Sequence, residues 1–132
     1  MAAEYAIEMR GITKTFGSVV ANKDVNLTLR KGEILALLGE NGSGKTTLMN
    51  MLSGIYQPDS GEILVDGTPV SIRSPQEAKT LGIGMVHQHF KLVDVFTAAD
   101  NIWMGREKLG FALKRGRYDE IREMAQRFGF EI

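Results

Sequence analysis

The residues best equipped for chemistry lie between 39 and 47: Gly39-Glu40-Asn41-Gly42-Ser43-Gly44-Lys45-Thr46-Thr47. Ordered glycine costs backbone entropy, so glycine at this density serves geometry. Small residues let successive backbone N–H groups converge on one point. Such a nest, at the positive end of a helix, binds phosphate oxygens. Lys45 adds a full charge for the outer phosphates, and Thr46 offers a hydroxyl to Mg²⁺. The spacing fits G-x-x-x-x-G-K-[ST], a pattern that counts only with a buried strand before it and an amphipathic helix after it. The apolar run Ile34-Leu35-Ala36-Leu37-Leu38 precedes it, and Leu48, Met51, Leu52 and Ile55 follow at i, i+3, i+4 and i+7. The loop is expected to hold a nucleoside triphosphate.

The elements that must position this loop follow from periodicity. Residues 4–10 and 24–30 read as strands, the second with Val25, Leu27 and Leu29 alternating with polar neighbours. The segment 33–38 is nearly continuous apolar, as expected of a strand covered on both faces. Gly54 is placed to end the helix that follows the loop. Pro58-Asp59-Ser60-Gly61 reads as a turn and 62–66 as a hairpin arm closed by Asp66-Gly67. Ser74-Pro75-Gln76-Glu77 is a capping box that predicts a helix to about Leu81, and Ile83–Val86 reads as a short buried strand. Thr97-Ala98-Ala99-Asp100 is a second capping box, opening a helix toward Met104. Tyr118, Ile121, Ala125 and Phe128 share one later helix face, followed by Gly129.

Composition narrows the function. In 132 residues, 16 Lys and Arg balance 16 Asp and Glu, which argues against a dedicated nucleic-acid binder. There is no cysteine, so disulfides and thiolate metal sites are excluded. No secretory signal and no apolar run long enough to cross a membrane are visible, so the chain is expected to be soluble and cytoplasmic. His87 and His89 lack nearby carboxylates or thiols to complete a metal site and read as loop residues. Lys114-Arg115-Gly116-Arg117 reads as a solvated connection. Trp103 and Met104 fit a short helix's core at least as well as a partner surface. Asn22-Lys23-Asp24-Val25 approaches the N-K-x-D base-reading motif of GTPases, but its aspartate stands one position early.

Three further stretches resemble the ATP-binding-cassette (ABC) family of transporter ATPases. Ile12-Thr13-Lys14-Thr15-Phe16-Gly17 places Phe16 where that family stacks an aromatic ring on adenine. Val86-His87-Gln88 resembles its Q-loop, whose glutamine reaches Mg²⁺ and the attacking water and whose loop couples to the membrane partner. Ser53-Gly54-Ile55-Tyr56-Gln57-Pro58-Asp59-Ser60-Gly61-Glu62-Ile63 looks like the link from the phosphate-loop helix to the antiparallel strands. Gly84-Met85-Val86-His87-Gln88-His89-Phe90 and Phe96-Thr97-Ala98-Ala99-Asp100-Asn101-Ile102 look most like importers of simple sugars and nucleosides.

The resemblance implies an α/β fold, with a P-loop NTPase core and antiparallel β region over 1–88. The beginning of a helical subdomain would follow over 89–132, the whole being an incomplete domain. It implies ATP and Mg²⁺ as cofactors: Phe16 on the base, Gly39, Glu40, Asn41, Gly42, Ser43, Gly44 and Lys45 on the phosphates, and Thr47 on the α-phosphate. Thr46 and Gln88 would hold the metal, with Lys45 and Gln88 as the catalytic pair. The implied partners are transporter membrane subunits, a second ATPase domain that closes the site and, indirectly, a solute-binding protein, with no nucleic acid. The implied place is cytoplasmic, peripheral on the inner face of the cell membrane. The alternatives are a soluble ABC-type ATPase acting on DNA or the ribosome, and a nucleotide-binding module without catalysis.

The chain departs from the family in lacking the L-S-G-G-Q signature loop, the Walker B aspartate with its glutamate, and the switch histidine. Ile63-Leu64-Val65-Asp66 imitates Walker B, but it comes too soon after the loop and Asp66-Gly67 is a hairpin dipeptide. Hydrolysis requires a group that orients the attacking water, and its loss costs on the order of 10² to 10⁴ in rate. Residues 1–132 alone are therefore expected to release phosphate from ATP no faster than the Lys45→Ala variant. Multiple turnovers above that control would reveal a catalytic carboxylate missed in this reading.

Overall fold

A computed structural model describes residues 3–89, 91–104 and 116–131. Of the residues quoted above, Phe90, Lys114 and Arg115 lie outside that set, as does the side chain of Arg117. The chain divides into two units, 1–86 and 87–132.

The first unit is built on a four-stranded antiparallel sheet. Its strands are β1 (Tyr5–Phe16), β2 (Val19–Arg30), β3 (Ser60–Val65) and β4 (Thr68–Val70), in the order β2-β1-β3-β4. β1 and β2 are much longer than the expected strands because they form one hairpin, Phe16 pairing with Val19 across Gly17-Ser18. Alternation along β1 breaks midway: Ile7 and Met9 are buried, and then Ile12 rather than residue 11. The cause is a pair of facing irregularities, at Gly11 (φ 59) and Asp24 (φ 50). Side chains satisfy the displaced backbone: Asn26 Oδ1 accepts from Gly11 N at 2.9 Å and Thr13 Oγ1 from Asp24 N at 3.0 Å. The bulge thus returns Ile12 to the core face. Asp66 (φ 49) and Gly67 (φ 78) form the tight turn between β3 and β4, so the Walker B imitation is a hairpin arm.

Helices α1 (Lys45–Leu52) and α2 (Pro75–Thr80) supply the other side of the core. Ile7, Met9, Ile12, Ile63 and Ile72 pack with Leu48, Met51 and Ala78, and Val25, Leu27 and Leu29 border them. The expected apolar face of α1 is half right: Leu48 and Met51 are buried, but the helix stops at Leu52 and Ile55 is exposed. Gly54 does end it, with Ile55 N donating to Asn50 O at 2.9 Å. α2 begins as its sequence specifies, Ser74 Oγ accepting from Glu77 N at 3.2 Å. Glu77 itself reaches one residue further back than a capping box requires, taking Arg73 N at 2.7 Å.

Two expectations are corrected. Residues 33–38 form no strand, and Ile34 and Leu38 are 98% and 89% exposed. Ile83–Val86 likewise forms none, and Val86 is 94% exposed, although Ile83 borders the core. Both runs have the composition of strands buried in a parallel sheet. None of the described strands pairs with either, and an apolar run without hydrogen-bonding neighbours has nothing to make it a strand.

In the second unit, α3 (Ala98–Trp103) opens on the expected capping box: Thr97 Oγ1 accepts from Asp100 N at 3.1 Å and Asp100 Oδ2 from Thr97 N at 3.3 Å. Met104, just beyond it, is exposed. α4 spans Gly116–Arg127, and of its expected apolar face Ile121 is buried while Tyr118 and Phe128 are exposed. No described helix is long and apolar enough to cross a membrane.

Met51 is fully buried where α1 meets the sheet. Met51→Ala is expected to lower stability by about 2–5 kcal/mol, the cost of deleting a large core side chain. A lower urea midpoint at unchanged slope is the measurement that checks it.

Candidate nucleotide-binding site

The glycine-rich loop leads directly into α1. Gly44 is the N-cap, in the left-handed conformation (φ 84, ψ 3), and Lys45 is the first helical residue. The helical ladder starts with Leu48 N donating to Gly44 O at 2.9 Å. The N–H groups of Lys45, Thr46 and Thr47 therefore precede it, as at any helix start. Gly42 also has φ 84, and Ser43 N closes a turn on Glu40 O at 3.2 Å. Alternating hands along the backbone are what turn successive N–H groups into a concave anion nest.

Glycine at 44 is required twice over. The left-handed backbone disfavours a side chain, and a Cβ there would collide with the carbonyl oxygen of Ala21 on β2 and come within 2.8 Å of Asn22 Nδ2. Asn22, buried in β2, donates from Nδ2 to Gly44 O at 3.2 Å. The start of α1 is thus fixed against β2 by a backbone approach that only glycine permits. Asn22 was legible in the sequence only as part of a GTPase look-alike. A β2 asparagine carries no signal of the loop it touches.

Lys45 bends back over the loop. Its Nζ donates to Gly39 O (2.5 Å), Glu40 O (2.7 Å) and Ser43 Oγ (3.1 Å). At Gly39 a Cβ would stand 2.7 Å from Ser43 Oγ, so the small residue lets the loop close on itself. Glu40, Asn41, Gly42, Ser43 and Thr46 are exposed, while Thr47 and Lys45 are half-buried.

The structure brings Gly39 through Thr47 together as one loop and helix start. Phe16 stands in the same unit at the end of β1, 42% exposed, with its ring 5.1 Å from that of Tyr56 at an interplanar angle of 68°. The Lys14 ammonium lies 5.4 Å from the Phe16 ring centroid. Tyr56 was quoted in the sequence only as part of a linking stretch, because its contact with Phe16 is long-range. Gln88 belongs to the second unit, exposed at a bend that no strand precedes.

The donor set suits an anion. Backbone N–H groups and an ammonium match phosphate oxygens, and Thr46 supplies a hydroxyl beside them. Among the described residues no group of three His, Cys, Asp or Glu could hold a metal ion unaided. A Mg²⁺ here would draw on neutral protein oxygens and on the phosphates themselves, which is usual for this ion at phosphate sites.

The chain is 54% identical to the guanosine import ATP-binding protein NupO of Bacillus subtilis (strain 168), over 98% of this chain and 26% of that protein. It is 52% identical to the nucleoside import ATP-binding protein NupA of Lactococcus lactis subsp. cremoris, over 100% of this chain and 26% of that one. The chain thus spans about a quarter of the length of these relatives. Among solved structures, the dimeric post-hydrolysis state of the ATP-binding cassette MJ0796 with ADP and Pi aligns with a TM-score of 0.69 and 27% identity, over 91% of this chain and 57% of that one. CbiO1 of Clostridium perfringens, part of the ABC transporter complex cbiONQ, gives a TM-score of 0.66 and 26% identity over 97% and 52%. These likenesses establish the P-loop NTPase fold. The sequence profile of the ABC transporter family matches residues 22–131, and the chain belongs to that family.

Proposed function

We propose that this chain is the ATP-binding part of an ABC importer ATPase that powers uptake of a nucleoside or simple sugar through membrane subunits. The observation that carries the reading is the nest of Gly39–Thr47 at the start of α1, with Lys45 folded over it. The relatives named for guanosine, nucleoside and ribose import, at 50–54% identity, support the solute class. A second ATPase domain would complete the site, a solute-binding protein would deliver the cargo, and the working place would be the cytoplasmic face of the membrane.

In this reading the N–H groups at the loop and helix start take the β- and γ-phosphate oxygens, and Thr47 lies toward the α-phosphate. Lys45 releases the carbonyls of Gly39 and Glu40 and moves its charge onto the outer phosphates, where it offsets charge that grows during transfer. Thr46 and Gln88 would each offer an oxygen to Mg²⁺, which would supply positive charge against the phosphates. Gln88 would orient the attacking water, and Phe16 would stack on the base. Such stacking contributes about 1–3 kcal/mol.

Calorimetry on the chain with Mg-ATP tests the assignment. Lys45→Ala is expected to weaken binding by at least about tenfold, since a charge-assisted hydrogen bond to phosphate is among the stronger kinds. Phe16→Ala should cost a comparable factor through lost stacking. Unchanged affinity in both variants would overturn the nucleotide site.

A further inference from the structure

The hairpin β1–β2 ends beside a turn distant in sequence, and the contacts there have one centre. Asp59 immediately precedes β3, whose last pairing with β1 is Ser60 to Thr13. Beyond that point β3 no longer supplies acceptors to β1, and the carboxylate of Asp59 takes over. Asp59 Oδ2 accepts from Thr15 N at 2.7 Å and from Thr15 Oγ1 at 2.9 Å, while Oδ1 accepts from Lys14 Nζ at 2.9 Å. Its own N–H donates to Thr13 O at 2.9 Å. Three consecutive residues of β1 are thereby tied to one aspartate, and the next residue is Phe16. Lys14, held by Asp59, sits at the Phe16 ring, and Tyr56 meets the same ring edge to face.

We propose that Asp59 is a positioning residue for the base subsite: by clamping Lys14 and Thr15 it holds the Phe16 ring in the orientation that a nucleotide base stacks on. The inference rests on the reading of Phe16 as the base platform. An aromatic at a hairpin tip would otherwise sample several rotamers, and ordering it on binding has an entropic cost that pre-organisation removes. A solvent-exposed ion pair contributes little alone. Asp59 differs in making three hydrogen bonds with one carboxylate, one of them to a strand N–H beyond the last pairing with β3.

The hydrogen bond from Lys14, followed by those from the Thr15 N–H and hydroxyl, brings the Asp59 carboxyl down from the usual 3.8 to about 2. A lowered pKa places the clamp's contribution above 3.8 and removes it only as the pH falls through about 2. Lys14 is the charged partner that faces it. The clamp is intact at neutral and mildly acidic pH.

The test compares Mg-ATP with Mg-tripolyphosphate, which has the phosphates but no base, by calorimetry on the 132-residue chain. Asp59→Ala is expected to weaken ATP several-fold and leave tripolyphosphate unchanged. Asp59→Asn, which keeps the shape but loses the charge, should fall between it and the parent and serves if the alanine variant does not fold. Equal losses for both ligands, or no loss for ATP, would overturn the clamp. Phe16→Ala separates the two readings. If it too leaves ATP and tripolyphosphate in their original ratio, the base platform itself is wrong. If it narrows that ratio by roughly tenfold while the Asp59 variants do not, the clamp alone is wrong.

Discussion

Gly44 packs against β2 with no room for a side chain, and most of the candidate site depends on that contact. With a Cβ at 44 the chain would run into the Ala21 carbonyl, so α1 would have to retreat from the sheet. Its N-terminus would then move away from the loop that it completes. The same residue needs a left-handed backbone to cap the helix, and Asn22 Nδ2 donates to its carbonyl. Local conformation, tertiary packing and anion geometry thus impose one requirement on one residue. When levels agree in this way, a single arrangement is favoured over its competitors.

The sheet that holds this contact is shaped to reach it. A plain two-residue alternation would turn Ile12 outward, and the facing irregularities at Gly11 and Asp24 prevent that. They also carry the hairpin on to Phe16 and Val19, well past the point where β3 stops pairing with β1. The extended tip is where the aromatic ring stands. A strand of regular register would have placed either the core residues or the tip correctly, and the bulge accommodates both.

What could be read from the sequence was whatever depends on near neighbours. Asp66-Gly67 gives its turn by backbone preference alone, and Thr97 with Asp100 gives its cap through a three-residue spacing. The phosphate loop was legible for the same reason, since nest, cap and lysine lie within nine residues. Segment 33–38 was misread because an apolar run becomes a strand only when another strand lies beside it, and its composition cannot say whether one does. Asn22, Tyr56 and Asp59 escaped notice because each acts through a contact more than twenty residues away in sequence. The lengths of β1 and β2 were hidden by bulges that break the two-residue period on which the strand reading relied.

Helix α1 joins the two halves of the candidate site mechanically. Its eight residues span about 12 Å at 1.5 Å per residue. At one end it presents the N–H groups of Lys45 to Thr47. In its last turn Asn50 O accepts from both Ile55 N and Tyr56 N, which fixes the residue lying against Phe16. At the phosphate end the Lys45 ammonium already has three acceptors within the loop. In the proposed reading a triphosphate would gain only the difference between its own charged oxygens and those neutral ones, because the ammonium already makes charge-assisted bonds within the loop. The carbonyls that Lys45 gave up would then need other donors or water, so the loop would have to adjust if phosphates entered there. Because Gly44 is pinned against β2, that adjustment would fall on Gly39 to Ser43, the exposed part of the loop, and would leave the helix start in place.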